Sequence, residues 1–203
     1  MPKWDSLANQ KTIEETVSAL KANGIEAFVV ENKEEAKVKV LELIPESSEV
    51  MTMTSVTLDT VGVSKEINDS GKYNPARKKL MLMDRKAQAL EMNKLGAAPE
   101  YVVGSVHALT KDGKVLVASN SGSQIPAYAF GSSHVIWVVG AQKIVENLDE
   151  GIKRVYEHCL PLESERALKA YGVTSNVSKL LIINKEIIPG RISLIIVKEK
   201  LGF

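Results

Sequence analysis

Apolar positions fall first at helical spacing and then into short runs. Leu7, Ile13, Val17 and Leu20 recur near the helical period, and Asn23-Gly24 supplies a left-handed stop. Residues 27–30 form a short apolar run of strand type. Asn32 and Glu35 make a capping pair for a helix with Ala36, Val40 and Ile44 on one face, ending at Pro45. Residues 50–54 read as a second strand. Strand, helix and strand within so short a stretch are a βαβ unit, which predicts a parallel sheet.

The pattern fades over residues 68–83 and then returns. Asn68-Asp69-Ser70-Gly71 and Asn74-Pro75 are turn signals, and Lys72, Arg77, Lys78 and Lys79 form a basic cluster expected to be a solvated face. Asp84 is placed to cap a helix through Ala87, Leu90 and Leu95 that ends at Gly96. Residues 106–110 and 114–119 flank Asp112-Gly113, a type I′ hairpin signal. Residues 135–139 are almost continuously apolar, as in a central strand covered on both faces. Asn147 and Glu150 open a helix carrying Ile152, Val155, Tyr156, Cys159 and Leu160. Pro161 breaks or kinks it, and a second helical piece runs to Gly172. Two apolar strands, 180–183 and 192–197, joined by a turn at Pro189-Gly190, complete the pattern.

Gly104, Gly113, Gly122, Gly131 and Gly140 stand nine residues apart, but the residues between them do not repeat. A strand plus a turn accounts for the spacing without a solenoid. The predicted fold class is α/β: a mainly parallel sheet flanked by helices, with a β-hairpin and C-terminal apolar strands. The expected organisation is one domain over 1–203, with a helix at about 5–23 as an appendage.

Composition narrows the function classes. At 44% apolar and 25% charged, the chain is of ordinary globular type. Its 26 basic and 25 acidic residues leave a net charge of +1, which argues against nucleic acid as a partner. Cys159 is the single cysteine, so no internal disulfide and no cysteine-ligated metal centre can form. The apolar runs fall short of the ~20 residues of a membrane span. Met1-Pro2-Lys3-Trp4-Asp5 carries no apolar signal segment, and a reducing cytoplasm is the expected compartment.

In a parallel sheet, ligands bind beyond the carboxyl ends of the strands. Three loops qualify. The first holds Ser55 and Thr57, between a strand and a helical stretch through Leu58 and Val61. The second holds Ser119, Asn120, Ser121, Gly122, Ser123 and Gln124. The third, after the most apolar strand, holds Gly140, Ala141, Gln142 and Lys143. The middle loop offers hydroxyls, amides and a glycine for close backbone approach, and a helix starting at Ser123 would favour a phosphate or carboxylate. The competing role for these serines is capping and turn formation. Lys143 is a candidate positive charge for an anion, or a solvated lysine. No phosphate-loop, dinucleotide or nucleophile-elbow motif occurs. His107, His134 and His158 have no metal-ligand spacing; His107 reads as a hydrogen-bonded structural histidine and Cys159 as a core residue.

Beyond pattern, three blocks carry a resemblance: Gly104-Ser-Val-His-Ala-Leu-Thr-Lys-Asp-Gly113, Ala118-Ser-Asn-Ser-Gly-Ser-Gln-Ile-Pro-Ala-Tyr-Ala-Phe-Gly131 and His134-Val-Ile-Trp-Val-Val-Gly-Ala-Gln-Lys-Ile-Val145. Ser55-Val-Thr-Leu58, Leu160-Pro-Leu-Glu-Ser-Glu-Arg166 and the segments Pro189-Gly-Arg191 and Leu201-Gly-Phe203 support it. The chain resembles the LUD domain, the family of lactate-utilisation protein C. The resemblance implies a fold similar to the ribose-phosphate isomerase and CoA-transferase group. It also implies a non-redox role in iron–sulfur-dependent oxidation of L-lactate to pyruvate, with no cofactor in this chain and iron–sulfur clusters on partner proteins. The family pattern falls on Ser55, Thr57 and the loop from Ser119 to Gln124, and the family brings no agreed catalytic residue set. Glycines that often precede the first hydroxyl motif are replaced here by Met51-Thr52-Met53-Thr54, and no glutamate of CoA-transferase type lies in the three loops. Two alternatives stand beside this role: a stand-alone enzyme acting on a phosphorylated or CoA-linked small molecule, and a pure interaction module.

Overall fold

A six-stranded, wholly parallel sheet forms the centre of the molecule, and a four-stranded mixed sheet packs beside it. The computed structural model describes residues 4–203; Met1-Pro2-Lys3, read above as free of an export signal, lie outside the described residues. The first half of the chain holds α1 (Gln10–Ala22), β1 (Glu26–Val30), α2 (Lys33–Glu42), β2 (Glu49–Thr52), α3 (Val56–Val61), α4 (Val63–Asp69), β3 (Asn74–Pro75), α5 (Ala76–Leu82) and α6 (Ala89–Ala97). The second half holds β4 (Tyr101–Gly104), β5 (Ala108–Thr110), β6 (Val115–Ser119), β7 (His134–Gly140), β8 (Ile144–Val145), α7 (Leu148–Arg154), α8 (Leu160–Tyr171), β9 (Lys179–Ile183) and β10 (Ile192–Val197). Strand order is β1-β10-β7-β4-β2-β3 in the large sheet and β8-β5-β6-β9 in the small one. None of the helices among the described residues is long and apolar enough to cross a membrane.

The apolar runs are explained by which faces are covered. Side chains alternate along a strand. Val135, Trp137 and Val139 of β7 enter one core with Leu109, Val115 and Val117 of the small sheet, whereas Ile136 and Val138 enter a second core with α2, α3 and α4. A strand packed on both faces must be apolar throughout. The N-terminal helix expected as an appendage contributes Ile13 and Leu20 to the first core. Beyond the small sheet, α7 closes a third cluster, in which Leu148 and Ile152 pack on Ala108, Leu116 and Val145.

Local signals set several boundaries. Asn9, Asn32, Ser55 and Asn147 each cap a helix, their side chains accepting the N–H of Thr12, Glu35, Leu58 and Glu150. Two expectations, the hairpin turn and the Asp84 cap, are corrected. The hairpin turn is not type I′: only Gly113 has a positive φ (+79°), which makes a three-residue loop of type I turn plus bulge. The two C-terminal apolar strands form as expected, β9 in the small sheet and β10 in the large one. Asp84 caps only a turn, accepting from the N–H of Lys86 (2.7 Å) and Ala87 (3.0 Å), and the helix begins at Ala89. At Pro161 the chain stays helical. A wide π-type turn over Val155–Cys159 precedes it, which accommodates the ring and the missing N–H without ending the helix.

Candidate functional site

The carboxyl ends of three neighbouring parallel strands, β7, β4 and β2, open into one cavity of about 700 Å³. The loop after β2 brings Ser55 and Thr57, the loop after β4 brings Ser105 and His107, and the turn after β7 brings Lys143. The end of β6 in the small sheet adds Ser119, Asn120, Ser121, Ser123 and Gln124. All the expected site residues except Gly122 therefore line a single space. Gly122 turns away: its φ is +87°, and a Cβ there would lie 2.5 Å from the Lys179 side chain.

Hydroxyls in the middle loop are largely engaged with the loop itself. Ser119 Oγ accepts from the Gly122 N–H (2.9 Å), and Ser121 Oγ from the Ser123 N–H (3.3 Å). Asn120 Oδ1 accepts from Ser178 Oγ (3.0 Å), and Gln124 Nε2 donates to the Ala118 carbonyl (3.1 Å). The helical segment that follows begins at Ile125, two residues later than expected, and widens to a π-type turn over Ala127–Gly131. The loop is thus a self-supported rim leading into a helical segment of under two turns.

The floor is different. Lys143 is 2% exposed, and its Nζ donates to Thr57 Oγ1, Ser105 Oγ and the Val106 carbonyl, each at 3.1 Å. Thr57 Oγ1 donates on to the Leu201 carbonyl (3.2 Å), and Gln142 Nε2 donates to the same carbonyl (3.0 Å), so the tail from Leu201 to Phe203 is pinned against the site. Arg154 of α7 is fully buried and donates through Nη1 to the His107 carbonyl and to Cys159 Sγ (2.9 Å); its Nε and Nη2 have no hydrogen-bond partner. Among the described residues, no carboxylate is hydrogen-bonded to Lys143 or Arg154, and the Asp5 carboxylate acts on Arg154 only through space.

These neighbours set the charge states. Burial, with Arg154 close by, brings the Lys143 ammonium down from 10.5 to about 7. His107 Nδ1 accepts the Ala118 N–H (3.1 Å), so its neutral ring carries the hydrogen on Nε2. Enclosure, and the charges of Lys143 and Arg154, push His107 down to about 3, which keeps it a hydrogen-bond donor and not a base. Burial raises the Cys159 thiol despite Arg154 and Lys143. Where the sequence leaves Lys143 open between an anion partner and a solvated side chain, the structure shows it enclosed. The sequence does not mark Ser105, because the four residues of β4 are too short a run to read as a strand, and a lone arginine on a helix such as Arg154 gives no sign of burial. Within the basic cluster, Lys78 and Lys79 pair with Asp69 and Glu49, while Arg77 turns to the cavity wall and donates to the Thr52 carbonyl and Thr54 Oγ1.

The model of one protein family, described as the LUD domain, matches residues 13–197. No curated protein matches the sequence. Among solved structures, the chain is similar to a DUF162 family protein from Deinococcus radiodurans, with a TM-score of 0.57 and 12% identity over 95% of this chain and 99% of that one. At that identity the likeness speaks for the fold alone. A weaker likeness, to eIF2B beta from Chaetomium thermophilum, has a TM-score of 0.31 and 14% identity over 70% of this chain and 42% of that one, and nothing is argued from it.

Proposed function

The chain belongs to the LUD-domain family, and on that premise we propose that it is a component of lactate-utilisation protein C type in iron–sulfur-dependent oxidation of L-lactate to pyruvate in the cytoplasm. Its part is to hold the small organic acid, as substrate or product. One observation carries this reading: Lys143, which lines the cavity, is buried and is held only by two hydroxyls and a carbonyl, with no carboxylate among its partners. A buried cation without a counter-charge is costly, and a carboxylate entering from the cavity relieves that cost. His107 Nε2 and the hydroxyls of Ser55, Thr57 and Ser105 supply neutral contacts around it, with the loop from Ser119 to Gln124 as rim.

In this reading the chain is non-redox and the electrons pass through partner subunits. One buried cysteine cannot furnish the ligands of an iron–sulfur cluster, so the clusters are assigned to those partners. Two experiments test the proposal together. Affinity capture from native extract is expected to recover cysteine-rich iron–sulfur proteins, and L-lactate or pyruvate is expected to raise the melting temperature. A ligand at a hundred times its Kd adds about 2.7 kcal/mol. Recovery of the chain alone, with normal growth on lactate in its absence, would overturn the role.

A second reading has one observation in its favour. The cavity, about 700 Å³, is larger than a three-carbon acid needs, and Arg77 and Arg166 stand in its walls. Guanidinium groups suit phosphate. A stand-alone enzyme acting on a phosphorylated or CoA-linked molecule would be selected if sugar phosphates, nucleotides or CoA esters raise the melting temperature while lactate and pyruvate do not.

A further inference from the structure

Lys143 is unusual among the lysines for what surrounds its nitrogen. Two of its three partners are hydroxyls, Thr57 Oγ1 and Ser105 Oγ, and only the Val106 carbonyl is obliged to accept. A hydroxyl can donate or accept. As the ammonium, Lys143 donates to all three, while Ser105 Oγ donates to Thr57 Oγ1 (3.3 Å) and Thr57 to the Leu201 carbonyl. As the free amine, it donates to Val106 and Thr57 and accepts from a rotated Ser105 hydroxyl. The cage satisfies both forms without moving a heavy atom, and Lys143 is one of the residues lining the cavity. Neighbouring Arg154 opposes a second buried positive charge. Cys159, in the same wall, is a poorer nucleophile, since its sulfur is held by Arg154 Nη1 at 2.9 Å and burial keeps the thiol protonated.

We propose that Lys143 condenses reversibly with the C2 carbonyl of a 2-oxo acid held in the cavity, forming an imine. The inference rests on the reading that the cavity takes a small organic acid, and it singles out the oxidised form as the one held covalently. The Ser105 hydroxyl turns off the Nζ lone pair, which bonds to C2 as the carbonyl π pair moves to oxygen, and a proton then passes from nitrogen to that oxygen by way of the Ser105 hydroxyl. The C2–O bond then breaks, water leaves with the second proton lost by nitrogen, and the C=N bond closes. No electrons are gained or lost, so no oxidant is needed. A 2-hydroxy acid such as L-lactate has no carbonyl and binds without reacting.

The test is borohydride trapping on the full chain. Purified protein is incubated at pH 7 with pyruvate, reduced with sodium borohydride, and read by intact mass and peptide mapping. The expected result is one adduct on Lys143, its mass that of pyruvate less water plus two hydrogens, with L-lactate giving no adduct and competing against it. Burial lowers the Lys143 ammonium to about 7, so at pH 7 it holds far more free amine than an exposed lysine, and labelling should favour it strongly over surface lysines. Lys143→Arg, which keeps a cation and lacks the nucleophile, should abolish the adduct while circular dichroism reports an intact fold. A melting shift with pyruvate but no adduct, or label spread over surface lysines and unchanged in Lys143→Arg, overturns the imine and leaves the acid-binding reading standing. No melting shift with either acid, and no adduct, overturns both.

Discussion

Thr57 joins three parts of the molecule: the first turn of α3, the Lys143 amine and the carbonyl of Leu201. Gly202 presses on the same hydroxyl, since a Cβ at its φ of +60° would lie 2.5 Å from Thr57 Oγ1. Replacing Thr57 by Val keeps the shape and removes the hydroxyl, leaving a buried N–H of Lys143 short of an acceptor. The expected loss is about 1–3 kcal/mol in denaturant unfolding, with Thr57→Ser recovering most of it. His107 gives a pH signature. Its native value lies near 3 against 6.5 ordinarily, so between those values the unfolded chain takes up a proton that the folded one refuses. Stability contributed by the neutral ring is therefore present above about 6.5 and lost as pH falls toward 3. Unfolding free energy followed across that window should fall less steeply in His107→Gln, whose amide can still accept from Ala118 and donate into the cavity.

Among the elements, β4 decides how the site is built. It supplies Ser105 at the carboxyl end of a strand lying between β2 and β7, so its loop sits in the middle of the three. Gly104 ends it because a Cβ there would overlap the Tyr128 hydroxyl, and Tyr128 is 1% exposed. Gly104→Ala is expected to cost about 1–3 kcal/mol by overpacking, read as a lower denaturation midpoint at unchanged slope. Four residues, Tyr101-Val-Val-Gly104, are too short a run to declare a strand by periodicity, and Val106 beyond them drew the predicted strand forward. A glycine followed by a serine after paired valines was the available signal. Helix caps were legible because each acts within one turn, as Asn32 and Asn147 do. The behaviour at Pro161 was legible only in part, since the sequence marks the missing N–H and not the π-type turn that accommodates it.

For the molecule as a whole, the legible part is the parallel sheet and the loops that meet beyond the carboxyl ends of its strands. Ser55, Thr57 and Lys143 follow from the rule that ligands lie beyond strand carboxyl ends, and the structure brings their loops together. What stayed hidden was long-range. An apolar run such as 180–183 looks the same whether it pairs with β10 or with β6, and only the tertiary packing assigns it to the second sheet. The same packing buries Lys143 and Arg154, two cations that the sequence does not mark as enclosed. The most direct test is calorimetric titration of the wild-type chain and of Lys143→Met with L-lactate. Saturable binding that weakens by about tenfold or more in the variant is expected, as a charge-assisted hydrogen bond is worth ~1.5–3 kcal/mol. No saturable heat in the wild type, or equal affinity in the two proteins, would contradict the account.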